Sequence, residues 1–149
     1  MLYPFTGKYE GAGAGMKTRT IRQTITLDAS PHDVYEMLMD EKKHARFTAG
    51  AAEISRDVGG AFFTNDGYAT GTNRELVQDT KIVQTWRASD WPDDHYSTLT
   101  ISLSPVSSKT KLSFVQTGVP EDQYEEISQG WYDYYWDPLK KLVVKGKGR

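Results

Sequence analysis

The chain has 149 residues, no cysteine and a net charge of −2. Lack of cysteine excludes disulfides, thiolate nucleophiles and cysteine-ligated metals, and a near-neutral, slightly acidic balance gives no electrostatic footprint for nucleic acid. No apolar run approaches the ~18 residues of a membrane span and the N-terminus lacks a signal-peptide core, so a single cytoplasmic domain with no membrane contact is expected.

Residues 1–15 hold the run Gly11-Ala12-Gly13-Ala14-Gly15 and no apolar period. They read as a flexible arm ahead of one domain over 16–149. The run is not a dinucleotide loop, because no strand precedes it. From Lys17 to Leu27 the chain alternates, with Ile21, Ile25 and Leu27 on one face and threonines on the other, as in a strand with one wet side. Ser30, Pro31 and Asp33 form a capped helix start, and Val34, Met37 and Leu38 give that short helix its buried face. Glu41 to Phe47 reads as a second short helix with Phe47 turned inward and His44, like His32 before it, on the surface.

An antiparallel meander follows. Its strands are expected over Ala52–Val58, Ala61–Thr64, Tyr68–Gln78, Lys81–Arg87, Ser97–Leu103 and Leu112–Gln116, with Asn65-Asp66-Gly67 a hairpin signal. Ile82, Gln84 and Trp86 share a face, as do Leu99 and Ile101, and Phe114 and Gln116. The last helix is expected from Pro120 to Lys145, about 39 Å long at 1.5 Å per residue. Acids open it (Glu121, Asp122, Glu125, Glu126), bases close it from Lys140 onward, and Tyr124, Ile127, Trp131, Tyr134 or Tyr135, Pro138 and Leu142 make one apolar stripe. Two residues disturb it. Gly130 costs about 1 kcal/mol relative to alanine, either to let the helix sit close to a strand or to bend it away and leave space; close approach is the simpler reading. Pro138 is expected to kink the helix or to end its regular part near Tyr134–Asp137.

Strands segregated from helices argue an α+β fold: a curved antiparallel sheet of six or seven strands wrapped on a long C-terminal helix, with two short helices after the first strand. Such an arrangement encloses a cleft suited to a small ligand. The residues expected to bound it are Phe47, Ile82, Gln84, Trp86, Leu99, Ile101, Phe114, Gln116, Trp131 and Tyr135. Trp131 is the foremost among them, beside Gly130, where the helix can approach the sheet most closely. Gln84 and Gln116 carry amides on otherwise apolar faces. Each must bond a tyrosine hydroxyl of Tyr134 or Tyr135, bond a ligand, or reach water at a strand end.

Ala29-Ser30-Pro31 opening the first helix and Gly130-Trp131 in the last resemble the START-like helix-grip superfamily. Ile82-Val83, Trp86-Arg87, Trp91-Pro92, His95 to Thr100, Gly118-Val119-Pro120, Gln129-Gly130-Trp131 and Tyr134-Tyr135 resemble, within it, the C-terminal domain of activators of the heat-shock protein 90 ATPase. The resemblance implies a non-catalytic domain that holds an apolar or aromatic ligand or docks on a chaperone. Eukaryotic activators make their main chaperone contact through a separate N-terminal domain. Only about fifteen residues precede the first strand here, so stimulation of heat-shock protein 90 by this chain is expected to be weak. A polyketide-cyclase-like enzyme is a third alternative within the superfamily.

Catalytic and metal chemistry find little support. His32, His44 and His95 show no helical metal spacing, and no nucleophile elbow or phosphate loop is present. Glu121 with Glu125, and Asp133 with Asp137, stand one turn apart, an arrangement that more often solvates a helix than performs acid–base work. No catalytic residue, metal or cofactor is therefore expected, and the oligomeric state is open.

Overall fold

The computed structural model describes residues 16–147. The arm expected over 1–15 lies outside the described residues. Seven strands form one antiparallel sheet: β1 (Thr18–Leu27), β2 (Glu53–Ile54), β3 (Ala61–Thr64), β4 (Ala69–Val77), β5 (Lys81–Ala88), β6 (Ser97–Val106) and β7 (Lys109–Pro120). Their spatial order is β1-β7-β6-β5-β4-β3-β2, so the first strand closes one edge beside the last. Two short helices, α1 (Pro31–Met39) and α2 (Glu41–Thr48), connect β1 to β2. The C-terminal helix runs as α3 (Tyr124–Trp131), a π-helical turn (Tyr132–Trp136) and α4 (Asp137–Lys147).

Register turns the alternation of each strand into rows that cross the sheet. Ile21 faces Gln116, Gln116 faces Leu99, Leu99 faces Gln84 and Gln84 faces Asn73. The next inward row is Gln23, Phe114, Ile101 and Ile82. On these rows lies the helix stripe of Ile127, Trp131, Tyr135, Trp136, Leu139 and Val143, all buried. Full burial of one large apolar side chain contributes roughly 1.5–3 kcal/mol, so this sheet-to-helix contact holds the fold together. Ser30 caps α1 by accepting the Asp33 N–H at 3.1 Å, with Pro31 in the first turn.

Three boundaries differ from expectation, each for a local reason. Strand β2 is two residues long, because the Ser55 and Asp57 carbonyls accept the Asn73 side-chain amide, at 2.7 and 3.0 Å, instead of continuing a ladder. Pro120 ends β7 rather than opening the helix, since Thr18 still pairs with it and Glu121 N–H donates to Lys17 O at 3.0 Å. A 3₁₀ turn over Glu121–Gln123 then leads into α3. The irregularity expected near Pro138 is the π-helical turn, where Asp137 N–H reaches back five residues to Tyr132 O.

Candidate functional site

The widest turn of the helix carries the densest aromatic packing. Trp131 sits 4.6 Å, centroid to centroid, from both Phe114 and Tyr135, and 5.6 Å from both Trp86 and Trp136. Adjacent residues Tyr135 and Trp136 both point inward, while Tyr134 between the inward positions is 61% exposed. Both indoles of the helix, Trp131 and Trp136, have their polar atoms satisfied. Trp131 Nε1–H donates to Gln116 Oε1 at 2.8 Å, Gln116 Nε2 donates to Ser97 Oγ at 2.9 Å, and Ser97 Oγ–H donates to Trp86 O at 2.7 Å. Trp136 Nε1–H donates to Gln23 Oε1 at 2.6 Å, and Gln23 Nε2 donates to Ser128 O at 2.9 Å. Two glutamines thus fasten the helix to two strands, each bridging a buried tryptophan that would otherwise leave an unpaired donor.

Neither glutamine singled out in the sequence bonds a tyrosine. Gln116 is fully buried and holds Trp131, while half-buried Gln84 donates to Asn73 Oδ1 at 2.9 Å. Ile82, Gln84, Trp86, Leu99, Ile101, Trp131 and Tyr135 line a small internal cavity of about 30 Å³, together with His44 and Thr64. That volume suits about one water, not a ligand. Phe47 stacks edge-on to Tyr135 at 5.5 Å, and Phe114 lies under Trp131 and Trp136. Most of the residues expected to bound a cleft therefore belong to the core beneath it.

An open cleft lies on the helix side of the Asn65–Gly67 turn. This cleft of about 550 Å³ is lined by Thr48 to Gly50 at the end of α2, by Asn65, Asp66 and Tyr68 before β4, and by Trp86 of β5. Its fourth wall is the helix, through Glu126, Ile127, Gln129, Gly130, Trp131, Asp133, Tyr134 and Tyr135. Trp86, Trp131 and Tyr135 are the expected residues that reach it. Gly130 opens onto this cleft rather than onto a strand: a Cβ there would meet only the Tyr134 ring, at 3.7 Å. Close approach to the sheet, the simpler expectation for Gly130, is thus not its role. Tyr68 is edge-on to Trp86 at 6.3 Å, and its hydroxyl is pushed up to about 12, first by burial and then by the charges of Asp90 and Glu126.

Histidine 44 corrects a second expectation. It is 3% exposed, set between Phe47 at 4.9 Å and Tyr135 at 5.2 Å, with Nδ1 buried and unpartnered. Burial drives its pKa down to about 4, so the ring is neutral near pH 7. Helix α2 starts one residue after Asp40, which caps it, and this turns position 44 to the same side as Phe47. His32 does lie on the surface, paired with Asp79 at 2.9 Å, and His95 Nε2 bonds Gly118 O at 2.8 Å in a structural role. His32, Glu36 and Asp79 gather their ligand-type atoms within 4.8 Å, but Arg56 grips Glu36 through two bonds and holds its carboxyl below the usual range. The cluster is a surface charge network.

Two sets of side chains are absent from the expected site residues: Gln23, which holds Trp136, and Tyr68, Glu126 and Asp133, which line the cleft. Gln23 was detectable, since it falls on the parity of Ile21 and Ile25. The cleft residues were not, because a turn before β4 and the C-terminal helix, far apart in the chain, supply them.

Residues 28–144 match the family model described as activator of Hsp90 ATPase homolog 1-like protein. The chain belongs to this family. Human activator of 90 kDa heat shock protein ATPase homolog 1 is 30% identical over 145 residues, covering 96% of this chain and 43% of that protein. The Dictyostelium discoideum homologue is 34% identical over 125 residues, covering 83% of this chain and 32% of its own length. The chain thus spans less than half the length of these curated relatives. Among solved structures, an HSP90 activator from Plasmodium falciparum superposes with a TM-score of 0.78 at 24% identity, over 87% of this chain and 97% of that one. Protein CV1439 of Chromobacterium violaceum superposes with a TM-score of 0.69 at 30% identity, over 83% and 96%. The helix-grip fold is thereby shared across the family. Among the described residues, no helix is long and apolar enough to cross a membrane.

Proposed function

We propose that this Aha1-like domain is a non-catalytic binding module that takes a small aromatic or apolar molecule in the cleft over Gly130. The observation that carries the reading is the missing side chain at the centre of the helix wall. Packing does not demand glycine at 130, whereas a cleft of about 550 Å³, within the range that small ligands occupy, gains its depth there. Trp86, Trp131, Tyr68 and Tyr134 supply aromatic surface around that space. A neutral fluorescent probe, Nile red, is expected to bind with a blue shift and to lose binding in Gly130→Leu. Equal binding by both proteins, at unchanged stability, would place the probe elsewhere and reject the reading.

A second reading has its own support: 30% identity to the human activator over nearly the whole chain. In that reading the domain engages a heat-shock protein 90 partner, with the cleft rim and exposed Tyr134 as contact surface. Direct binding measured by surface plasmon resonance, together with chaperone ATPase rates, tests it. Absence of binding at high micromolar protein removes it.

A further inference from the structure

The cleft has a charge as well as a shape. Three of its lining side chains are carboxylates, Asp66, Glu126 and Asp133, and among the described residues no lysine, arginine or histidine lines it. Asp66 Oδ1 accepts the Ala51 N–H at 2.7 Å and Asp133 Oδ1 accepts Gln129 Nε2 at 3.0 Å; these bonds fix the carboxylates at the rim without neutralising them. Tyr68, Tyr134 and Trp86 line the same cleft. The Tyr68 hydroxyl already feels Asp90 and Glu126, in keeping with a negative potential at the mouth.

We propose that the ligand of this cleft is an amphipathic cation: an aromatic or apolar body bearing an amine or quaternary ammonium group, with the body over Gly130 and the charge at the carboxylate rim. The inference rests on the cleft being a ligand site, and adds its charge class. Two features select that class. Aromatic faces attract a cation through their quadrupole, and carboxylates of one sign favour cations and repel fatty or aromatic acids. A neutral molecule would gain only the apolar contact.

The test uses three probes with one aromatic body: naphthylethylamine, naphthylethanol and naphthylacetate, titrated calorimetrically into the full chain at low salt. The amine is expected to bind about tenfold more tightly than the alcohol, equivalent to about 1.4 kcal/mol. The acetate should bind least, and the gap should narrow as salt screens the rim. The pair Glu126→Gln and Asp133→Asn should bring amine and alcohol within about twofold of one another, a prediction from the loss of two rim charges. Gly130→Leu should abolish binding of all three. Equal affinities for amine and alcohol, or tightest binding of the acetate, would overturn the charge assignment while leaving a ligand cleft. No binding by any probe would overturn the cleft reading and this inference with it. Amine binding that survives Gly130→Leu would also overturn it, because the site would lie elsewhere.

Discussion

Replacing Gly130 by alanine should stabilise the protein. The residue is the seventh of α3 and continues directly into the π-helical turn, so its backbone is helical on both sides. Glycine in a helix interior costs roughly 0.8–1.0 kcal/mol relative to alanine, mostly through the freedom that it loses on folding. Against this gain stands any clash of the new methyl. A Cβ at 130 meets only two ring atoms of Tyr134, at 3.7 and 3.9 Å, which is ordinary contact. Nothing opposes the gain, so Gly130→Ala is expected to raise unfolding free energy by about 0.5–1 kcal/mol. For a chain of this size that is a rise of about 1–4 °C in Tm. Urea denaturation followed by far-ultraviolet circular dichroism measures it, with an unchanged m-value as the sign of an unchanged fold. A loss of 1 kcal/mol or more would show that the helix is pressed against something at this point, and the cleft would have to be redrawn. If instead alanine stabilises the chain, the native glycine sacrifices stability for open space, which is what a binding cleft requires.

Other expectations concern the interior. Trp131→Phe leaves Gln116 Oε1 buried without its donor, and should cost about 1–3 kcal/mol beyond the lost ring volume; the cost of combining it with Gln116→Leu should fall short of the sum of the single losses by about 1 kcal/mol. Strict additivity in denaturation would mean that the bond contributes nothing. His44 has a folded pKa near 4 against an ordinary 6.5, so the unfolded chain binds the extra proton first as pH falls. Stability is then full above about pH 6.5 and declines toward pH 4 by about 3 kcal/mol, at 1.36 kcal/mol per pKa unit. His44→Phe should flatten that part of the profile relative to the parent, and an identical slope would refute burial as the cause. Gly71→Ala would drive a methyl to 1.9 Å from the Thr85 carbonyl, and should destabilise by about 1–3 kcal/mol or more. A neutral effect would mean that β4 and β5 stand further apart.

The strands, the two short helices and the C-terminal helix were legible because period-two and helical spacing are local properties of the chain. Ser30-Pro31, the alternation through Leu99 and Ile101, and the break before Pro138 each needed only near neighbours. What failed depended on tertiary partners. Pro120 looked like a helix start, but pairing with Thr18 keeps it in the strand. His44 looked like a surface residue in a polar helix, and only the packing of Tyr135 against α2 shows that it is covered. The expected cleft residues were read from apolar faces, and apolar faces mark the core first. A cleft is instead bounded where packing stops, by polar residues such as Asp66 and Glu126 that carry no periodic signal.

The π-helical turn has a consequence for how such a cleft can arise. Counted from Trp131, the buried positions that follow fall at intervals of four, five, eight and twelve residues (Tyr135, Trp136, Leu139, Val143). Remove the exposed Tyr134 from the count and they become three, four, seven and eleven, the spacing of an unbroken α-helical stripe. A chain one residue shorter would bury the same side chains on a regular helix and would lack the aromatic ring that overhangs Gly130. Tyr134 is then the surplus residue. A single-codon insertion, absorbed by one widened turn, is enough to give a plain structural helix an outer aromatic wall while its grip on the sheet is left in register.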